Sequence, residues 1–330
     1  MNNIKKIGMT ALAASLASTS AFAGAVTVSG GASINYGIYS GTQLNQASTW
    51  SMSDNLIFSG SGTLENGLNV SLSMEIDQSR GSSTNPFEAQ SVTVSRDDLG
   101  ALTFSGLDGS SAGDSIAKTA AGNIWDNFDS AIGSATTGVD RLTGGATDNS
   151  FFYTSPALIE GLKIIGSYSP HTTTTAGYIG YGVTYAGVAG LTANIARQDV
   201  EGSTSSRDGE STTLKIAYAV GPLTFTASDN DYETGNGTAS AAASGTENTG
   251  QKTRSYALAY TISEAFSVNV GTETIDAPQG EDAEYQTIGA SYTMGGMTLS
   301  AKMQEGENTD HSTNAANDQE YFSTGISFAF

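Results

Sequence analysis

The chain has 330 residues, 40 of them glycine and none cysteine, and its 13 basic and 33 acidic side chains give a formal net charge of −20. This acid excess argues against nucleic acid as a partner, which binds basic surface, and without cysteine there are no disulfides to stabilise an exported protein. Gly, Ser and Thr in such numbers would suit disorder, but Tyr, Phe, Val, Ile and Leu are too frequent for a chain without a packed structure.

The N-terminus reads Met1-Asn2-Asn3-Ile4-Lys5-Lys6, then an apolar run from Ile7 to Leu16, then small residues ending Ala21-Phe22-Ala23. A basic start, a short apolar stretch and a small-residue end predict a secretory signal peptide over 1–23, cleaved after Ala23. The 307 residues that follow keep 11 basic side chains against 33 acidic ones, a net charge of −22, because Lys5 and Lys6 leave with the leader. No later stretch approaches the roughly 20 apolar residues of a membrane helix. Any membrane crossing must be made by strands.

The first strand is expected from Val26 to Tyr39, with Val28, Ala32, Ile34, Tyr36 and Ile38 alternating against Thr27, Ser29, Gly31, Ser33 and Asn35. Period-2 alternation marks a strand with one apolar face. A second strand, Trp50 to Leu64, turns at Asn66-Gly67, a tight-hairpin signal, into Leu68 to Asp77. The same unit recurs as 90–96 with 101–107, 150–155 with 162–169, 178–186 with 191–200, 211–218 with 223–232, 252–260 with 266–275, and 285–293 with 297–305. Tyr321 to Phe330 is the last, with Phe322, Thr324, Ile326, Phe328 and Phe330 on one face. Short turns alternate with longer polar connections throughout. A soluble sandwich spreads loop lengths more evenly between its ends, whereas short periplasmic turns and long outer loops belong to an outer-membrane barrel. The expectation is an all-β fold: a 16-stranded antiparallel transmembrane barrel over 24–330, wide enough for a water-filled channel.

In a barrel the apolar side chains face lipid and the alternate ones face the lumen. By that parity Glu75, Asp77, Lys163, Lys215, Glu273 and Lys302 line the lumen wall, and Tyr39, Trp50, Tyr168, Tyr178, Tyr185, Tyr218, Tyr260, Phe266, Tyr292 and Phe330 form aromatic girdles near strand ends. Asp54 and Arg197 break the pattern by sharing the apolar face. Either a bulge resets the register there, or those faces meet another subunit.

The third outer connection, about 108–149, is far longer than an ordinary surface loop. It carries Asp108, Asp114, Asp126, Asp129, Asp140 and Asp148 against Lys118 and Arg141, a helix N-cap signal at Asp114, and the apolar residues Ile124, Trp125 and Phe128. Folded inward, it would set Asp108, Asp114, Asp126, Asp129 and Asp140 across from basic wall residues, a transverse field that selects by charge and size. Folded outward, it is an acidic surface loop. Composition leaves both open.

Five features resemble the general trimeric porins of Gram-negative outer membranes. They are Val26-Thr27-Val28-Ser29-Gly30 directly after the leader, the long third loop, and Asn149-Ser150-Phe151-Phe152-Tyr153-Thr154-Ser155-Pro156, similar to that family's NS-x-x-Y-x-S-P. The strand–turn–strand series and the terminal Phe330 complete the set. The resemblance implies a homotrimer in the bacterial outer membrane, a third loop folded inward against wall arginines, and recognition of Phe328 and Phe330 by the barrel-assembly machinery. Leu107 stands where relatives commonly carry Gly-Arg, which weakens the basic wall and favours cations. Trimer contacts would also account for Asp54 or Arg197.

His171 and His311 are the only histidines, both in outer connections, and no nucleophile–base pair, zinc spacing or phosphate loop is present. Catalysis and a cofactor are therefore not expected. The clusters Asp208/Glu210, Glu281/Asp282/Glu284 and Asp310/Asp318/Glu320 could at most hold Ca²⁺ loosely through oxygen ligands or bridge it to lipopolysaccharide. The expected function is passive diffusion of ions and small hydrophilic solutes, with membrane lipid and lipopolysaccharide as surroundings. A substrate-specific channel would need aromatics or a basic ladder in the lumen. A surface adhesin or structural barrel would need the long loop to fill the bore.

Overall fold

The structure is a computed structural model that describes residues 26–41, 48–77, 87–128, 148–172, 175–202, 208–234, 251–276, 281–309 and 318–330. The leader expected over 1–23 lies outside them. Sixteen strands run in chain order: β1 (Thr27–Gly41), β2 (Ser48–Thr63), β3 (Asn69–Asp77), β4 (Ala89–Arg96), β5 (Gly100–Leu107), β6 (Ser150–Thr154), β7 (Leu162–Ser169) and β8 (Gly177–Val188). The series continues with β9 (Leu191–Glu201), β10 (Gly209–Val220), β11 (Leu223–Thr234), β12 (Gln251–Thr261), β13 (Phe266–Asp276), β14 (Ala283–Met294), β15 (Met297–Glu307) and β16 (Gln319–Ala329). Each pairs with its sequence neighbours, and β1 pairs with β16, so the sheet closes into a barrel.

Closure leaves no sheet edge, which is what a strand structure in hydrocarbon requires. Its seam is at the terminal residue. Phe330 N donates to Gly30 O at 3.0 Å and Gly30 N to Phe330 O at 2.9 Å, while the Phe330 ring stays 71% exposed on the outside.

Alternation decides the two faces as the sequence implied. Along one row of register partners, Phe225, Leu258, Val270, Ile288, Met303, Phe322 and Ile38 all face outward. The tight turns are made by the residues that allow them. Gly190 between β8 and β9 has φ +77, and a Cβ there would come within 2.2 Å of Ala219 O, so only glycine fits.

Beyond the apolar band the strands continue as polar ladder. Outward positions there hold Glu210, Asp229, Asp231, Lys252, Arg254, Asp276, Glu284, Glu305 and Glu320. Arg197 belongs to this belt. Its register with Tyr181 and Thr212 is unbroken, so no bulge is involved, and its guanidinium pairs with Glu210 and, at 3.4 Å, with Asp199. Asp54 likewise sits in continuous register opposite Ala32, facing outward beside Met52 and Leu56, one residue beyond the point where β3 stops pairing with β2. The bulge explanation is thus corrected for both residues. Two girdle assignments are corrected as well: Tyr39 and Tyr178 face inward, Tyr178 with only 2% exposure.

Candidate channel constriction

The buried apolar core lies between the third loop and the inner wall. The loop leaves β5 at Asp108, whose φ of +46 turns the chain inward and whose N–H donates to Asp148 Oδ1 at 3.0 Å. A short helix, α1 (Asp114–Ala117), follows. Its start is fixed by a reciprocal pair: Asp114 N–H donates to Ser111 Oγ at 2.9 Å, and Ser111 Oγ donates to Asp114 Oδ2 at 2.7 Å. The N-cap is Gly113, without a side-chain cap bond, so Asp114 is not the cap the sequence suggested but the first helical residue, braced by Ser111.

From there the loop is pinned to one side of the barrel, strand after strand. Ala112 N donates to Ser167 Oγ on β7 at 2.8 Å, Lys215 Nζ on β10 to Lys118 O at 2.6 Å, and Asn230 Nδ2 on β11 to Ala117 O at 2.6 Å. Ala120 N and Ala121 N donate to Ser228 Oγ and Ser255 Oγ at 2.8 and 2.9 Å. On β13, Glu273 takes Thr119 Oγ1 at 2.5 Å on one oxygen and Trp125 N at 3.4 Å on the other. A 3-10 turn, Ile124–Asn127, then packs Ile124 and Phe128 against Ile275, Ala283 and Tyr285, with Phe128 and Tyr285 ring centroids 5.6 Å apart. Tyr39 Oη on β1 ends the series with a 2.7 Å bond to Asn127 O.

Wall glycines make the close approach possible. A Cβ on Gly271 would sit 2.7 Å from Ala121 Cβ, and one on Gly180 3.2 Å from Ala112 Cβ. The described part of the loop therefore lies against β7–β14 and reaches β1 at Tyr39 and β16 at Tyr321. The inward-folded loop expected by resemblance is present in its described part, 108–128 and 148–149. Asp129 and Asp140 lie outside the described residues.

Burial sorts the expected site residues. Glu273 is inward by parity but only 1% exposed. It anchors the loop and does not line the water-filled lumen. Lys215 is likewise committed beneath the loop. Asp114 serves the α1 start. Asp126 and Lys118 are exposed on the loop's lumen side, and Asp108 is exposed at its root. Lys163 projects from β7 into the lumen. Lys302 on β15 lies 5.6 Å above the Tyr321 ring, with Asp126 and Lys118 in electrostatic reach.

On β3, Glu75 Oε1 accepts a 2.6 Å bond from Asn55 Nδ2, and Asp77 follows it on the same inward face. β3 and β11 are eight strands apart in the sixteen-strand ring, so acids occupy the wall opposite the loop. The basic residues on the inner face of the described wall are the three sparse lysines, Lys163, Lys215 and Lys302. Among the described residues the three arginines, Arg96, Arg197 and Arg254, all face outward. Sequence parity missed the loop's main partners, Ser167, Ser228, Ser255, Asn230 and Tyr285, because anchors and lumen-lining residues share one face. The inward Gly180 and Gly271 were the available signal of a close-packed partner.

The acidic outer clusters do not converge on a common point. Asp208 Oδ1 accepts Gly202 N at 2.8 Å, Glu210 meets Arg197, and Glu320 Oε2 accepts Ser40 Oγ at 2.9 Å. Among the described residues, no three acidic or histidine side chains are placed to hold a metal ion. Asp310 and His311 lie outside those residues.

Solved structures share this architecture. The anion-selective porin from Comamonas acidovorans matches with a TM-score of 0.67 at 17% identity, over 93% of this chain and 99% of that one. A loop L8 deletion variant of OmpT, an outer membrane protein of Vibrio cholerae, matches at 0.64 and 13% identity over 93% and 99%. A variant of the Rh. blastica porin matches at 0.60 and 15% identity over 93% and 100%. No curated protein sequence matches the chain. The family model described as Gram-negative porin covers residues 8–247. With a closed strand barrel and a long loop folded against its inner wall, the chain belongs to the Gram-negative porin family and is an outer-membrane channel protein.

Proposed function

We propose that the channel serves passive diffusion of ions and small hydrophilic solutes, with a modest preference for cations. The observation that carries the preference is the placement of charge. Glu75 and Asp77 stand on the inner face of β3, Asp126 is exposed on the loop, and the described arginines all point outward, which leaves the single lysines Lys118, Lys163 and Lys302 as the basic groups beside them. Paired acids on one wall with no inward arginine raise the local cation concentration. The Comamonas acidovorans neighbour is titled anion-selective, so the barrel architecture by itself does not supply a cation preference and the charges named above carry it. Reversal potentials in planar bilayers under a salt gradient test this: a cation-selective potential is expected, and an anion-selective one would overturn it. Absence of channels would overturn the diffusion reading itself.

The same reading includes self-association as a trimer. Strands β3 to β7 have 9, 8, 8, 5 and 8 residues, whereas crossing a bilayer takes about 9–11 tilted residues. A low wall bearing Leu72, Val92, Val94, Leu102, Phe104 and Phe151 outward suits burial against another copy. Unheated electrophoresis should show a trimer band that heat converts to monomer. We assign Phe328 and Phe330 to recognition by the barrel-assembly machinery, and the outward acidic belt to lipopolysaccharide through bridging divalent ions. Neither catalysis nor a bound cofactor is part of this function.

A further inference from the structure

The inner faces of β1 and β16 carry an aromatic patch that diffusion alone does not require. Tyr39 on β1 and Tyr321 on β16 are direct register partners on the inward face, with ring centroids 4.5 Å apart and planes tilted by 33°. Gly37 creates room for this arrangement. A Cβ there would come within 2.8 Å of Tyr321 Oη and 3.0 Å of its ring, so the Tyr321 phenol lies down along the wall across the glycine. Its apolar edge packs on the Ile124, Phe128 and Tyr285 cluster, while both tyrosines remain partly exposed to the lumen. The Tyr39 hydroxyl is held by Asn127 O, which fixes the pair to the loop.

Charges border the pair without being neutralised by direct contact. Lys302 Nζ lies 5.6 Å from the Tyr321 centroid, and Asp126, next to Asn127, is exposed in electrostatic reach of both Tyr39 and Lys302. Neither Lys302 nor Asp126 makes an ion pair or a side-chain hydrogen bond among the described residues. A tilted pair of tyrosine rings thus sits beside the Lys302 ammonium, which lies over the Tyr321 ring, and beside the exposed Asp126 carboxylate, at the point where the loop meets β15, β16 and β1. Serving only as a loop anchor would bury these groups, as it buries Phe128, Tyr285 and Glu273.

We propose that Tyr39, Tyr321, Lys302 and Asp126 form a solute-binding subsite in the bore for neutral ring polyols of the pyranose type. The apolar C–H face of a pyranose stacks on the tyrosines, and its hydroxyls exchange hydrogen bonds with Lys302 and Asp126, whose charges strengthen them. A neutral polyol uses both charges at once. The subsite rests on the open-channel reading above, and its consequence is saturable, sugar-dependent conductance in a channel otherwise open to ions.

Single-channel recording with maltotriose on the trans side tests it. The expected result is concentration-dependent interruption of the ion current. Tyr321→Leu keeps the apolar packing but removes the π-face, and should weaken the apparent affinity about five- to tenfold. Lys302→Met and Asp126→Asn should each weaken it by about tenfold or more, the value of one hydrogen bond to a charged group. Thr103→Ala, on the β5 wall away from the patch, should leave maltotriose affinity as in the parent. Channels that conduct ions but show no maltotriose interruption would overturn the subsite while leaving the diffusion reading intact. Equal interruption in parent and Tyr321→Leu would also overturn it, as would interruption by zwitterionic tryptophan with maltotriose silent.

Discussion

The inner wall of the barrel is two walls of similar composition with different duties. On β7–β14 the inward Ser167, Ser228, Asn230, Ser255 and Glu273 are all spent on holding the third loop, and all are buried. On β1–β5 the inward pairs Ser33–Ser53, Asn55–Glu75 and Thr93–Thr103 bond across strands and remain at least partly exposed. The same residue types form an anchor on one side and a wetted surface on the other. What separates them is the loop, which wall glycines let approach and which the five side chains on β7–β14 hold, one of them the Glu273 carboxylate.

Removing that carboxylate should blur the difference most. Glu273→Ala leaves Thr119 Oγ1 and Trp125 N without their acceptor in a buried site, a loss of about 2–4 kcal/mol for two bonds and the donors they strand. We expect larger and noisier single-channel conductance, with Glu273→Gln intermediate because it keeps the shape and one acceptor. Conductance of Glu273→Ala indistinguishable from the parent would mean the other anchors suffice.

A steric lever comes next. Gly271→Ala would bring a Cβ within 2.7 Å of Ala121 Cβ, an overpacking that costs about 1–3 kcal/mol and falls on the loop, since the barrel ladder cannot move as easily. The heat stability of the barrel should change little while the conductance shifts in the same direction as in Glu273→Ala. A fall in barrel melting temperature with unchanged conductance would show that the wall yields and the loop does not.

Much of the fold was legible because lipid and lumen write opposite demands on alternate residues. The alternation of Leu68 to Asp77 and of Tyr321 to Phe330 placed strands correctly. The boundaries fell short at the ends away from the tight turns, at Gly209-Glu210, Gln251, Ala283-Glu284, Glu307 and Gln319-Glu320. There the hydrogen-bond ladder continues above the apolar band, so outward side chains become charged and the pattern that marks a strand stops before the strand does. Arg197 looked anomalous for the same reason. The constriction was less legible. Parity gives the side of the sheet, not what covers it, so Glu273 and Lys215 read as lumen residues and Tyr39 as a girdle residue. Each is defined by a contact with a loop more than eighty residues away in sequence.

On the open wall the expected effects are electrostatic and smaller. Glu75→Lys with Asp77→Lys changes the charge opposite the loop by four units. At the dielectric of a water-filled bore each unit charge acts on a passing ion with about 1 kcal/mol or less. The cation-to-anion permeability ratio should fall about two- to fivefold, and the change should shrink in high salt. The same pair of changes on the covered wall would act on loop seating instead. A permeability ratio unmoved by the double substitution would mean that ions do not pass along β3.

The smallest effect separates anchors from bystanders within the covered wall. Thr253 on β12 is fully buried, in register with Asn230, and its hydroxyl has no hydrogen-bond partner among the described residues. Two positions along, Ser255 Oγ accepts Ala121 N at 2.9 Å and donates to Thr272 O at 2.9 Å. Thr253→Val keeps the volume and β-branching and removes only an unsatisfied polar group, so thermal stability should be unchanged or raised by up to about 1 kcal/mol. Ser255→Ala strands a buried N–H and should cost about 1–3 kcal/mol of loop attachment, visible as added current noise. If Thr253→Val proved the more damaging of the two, hydroxyls on this wall would be holding the loop through contacts other than the hydrogen bonds that Ser255 makes.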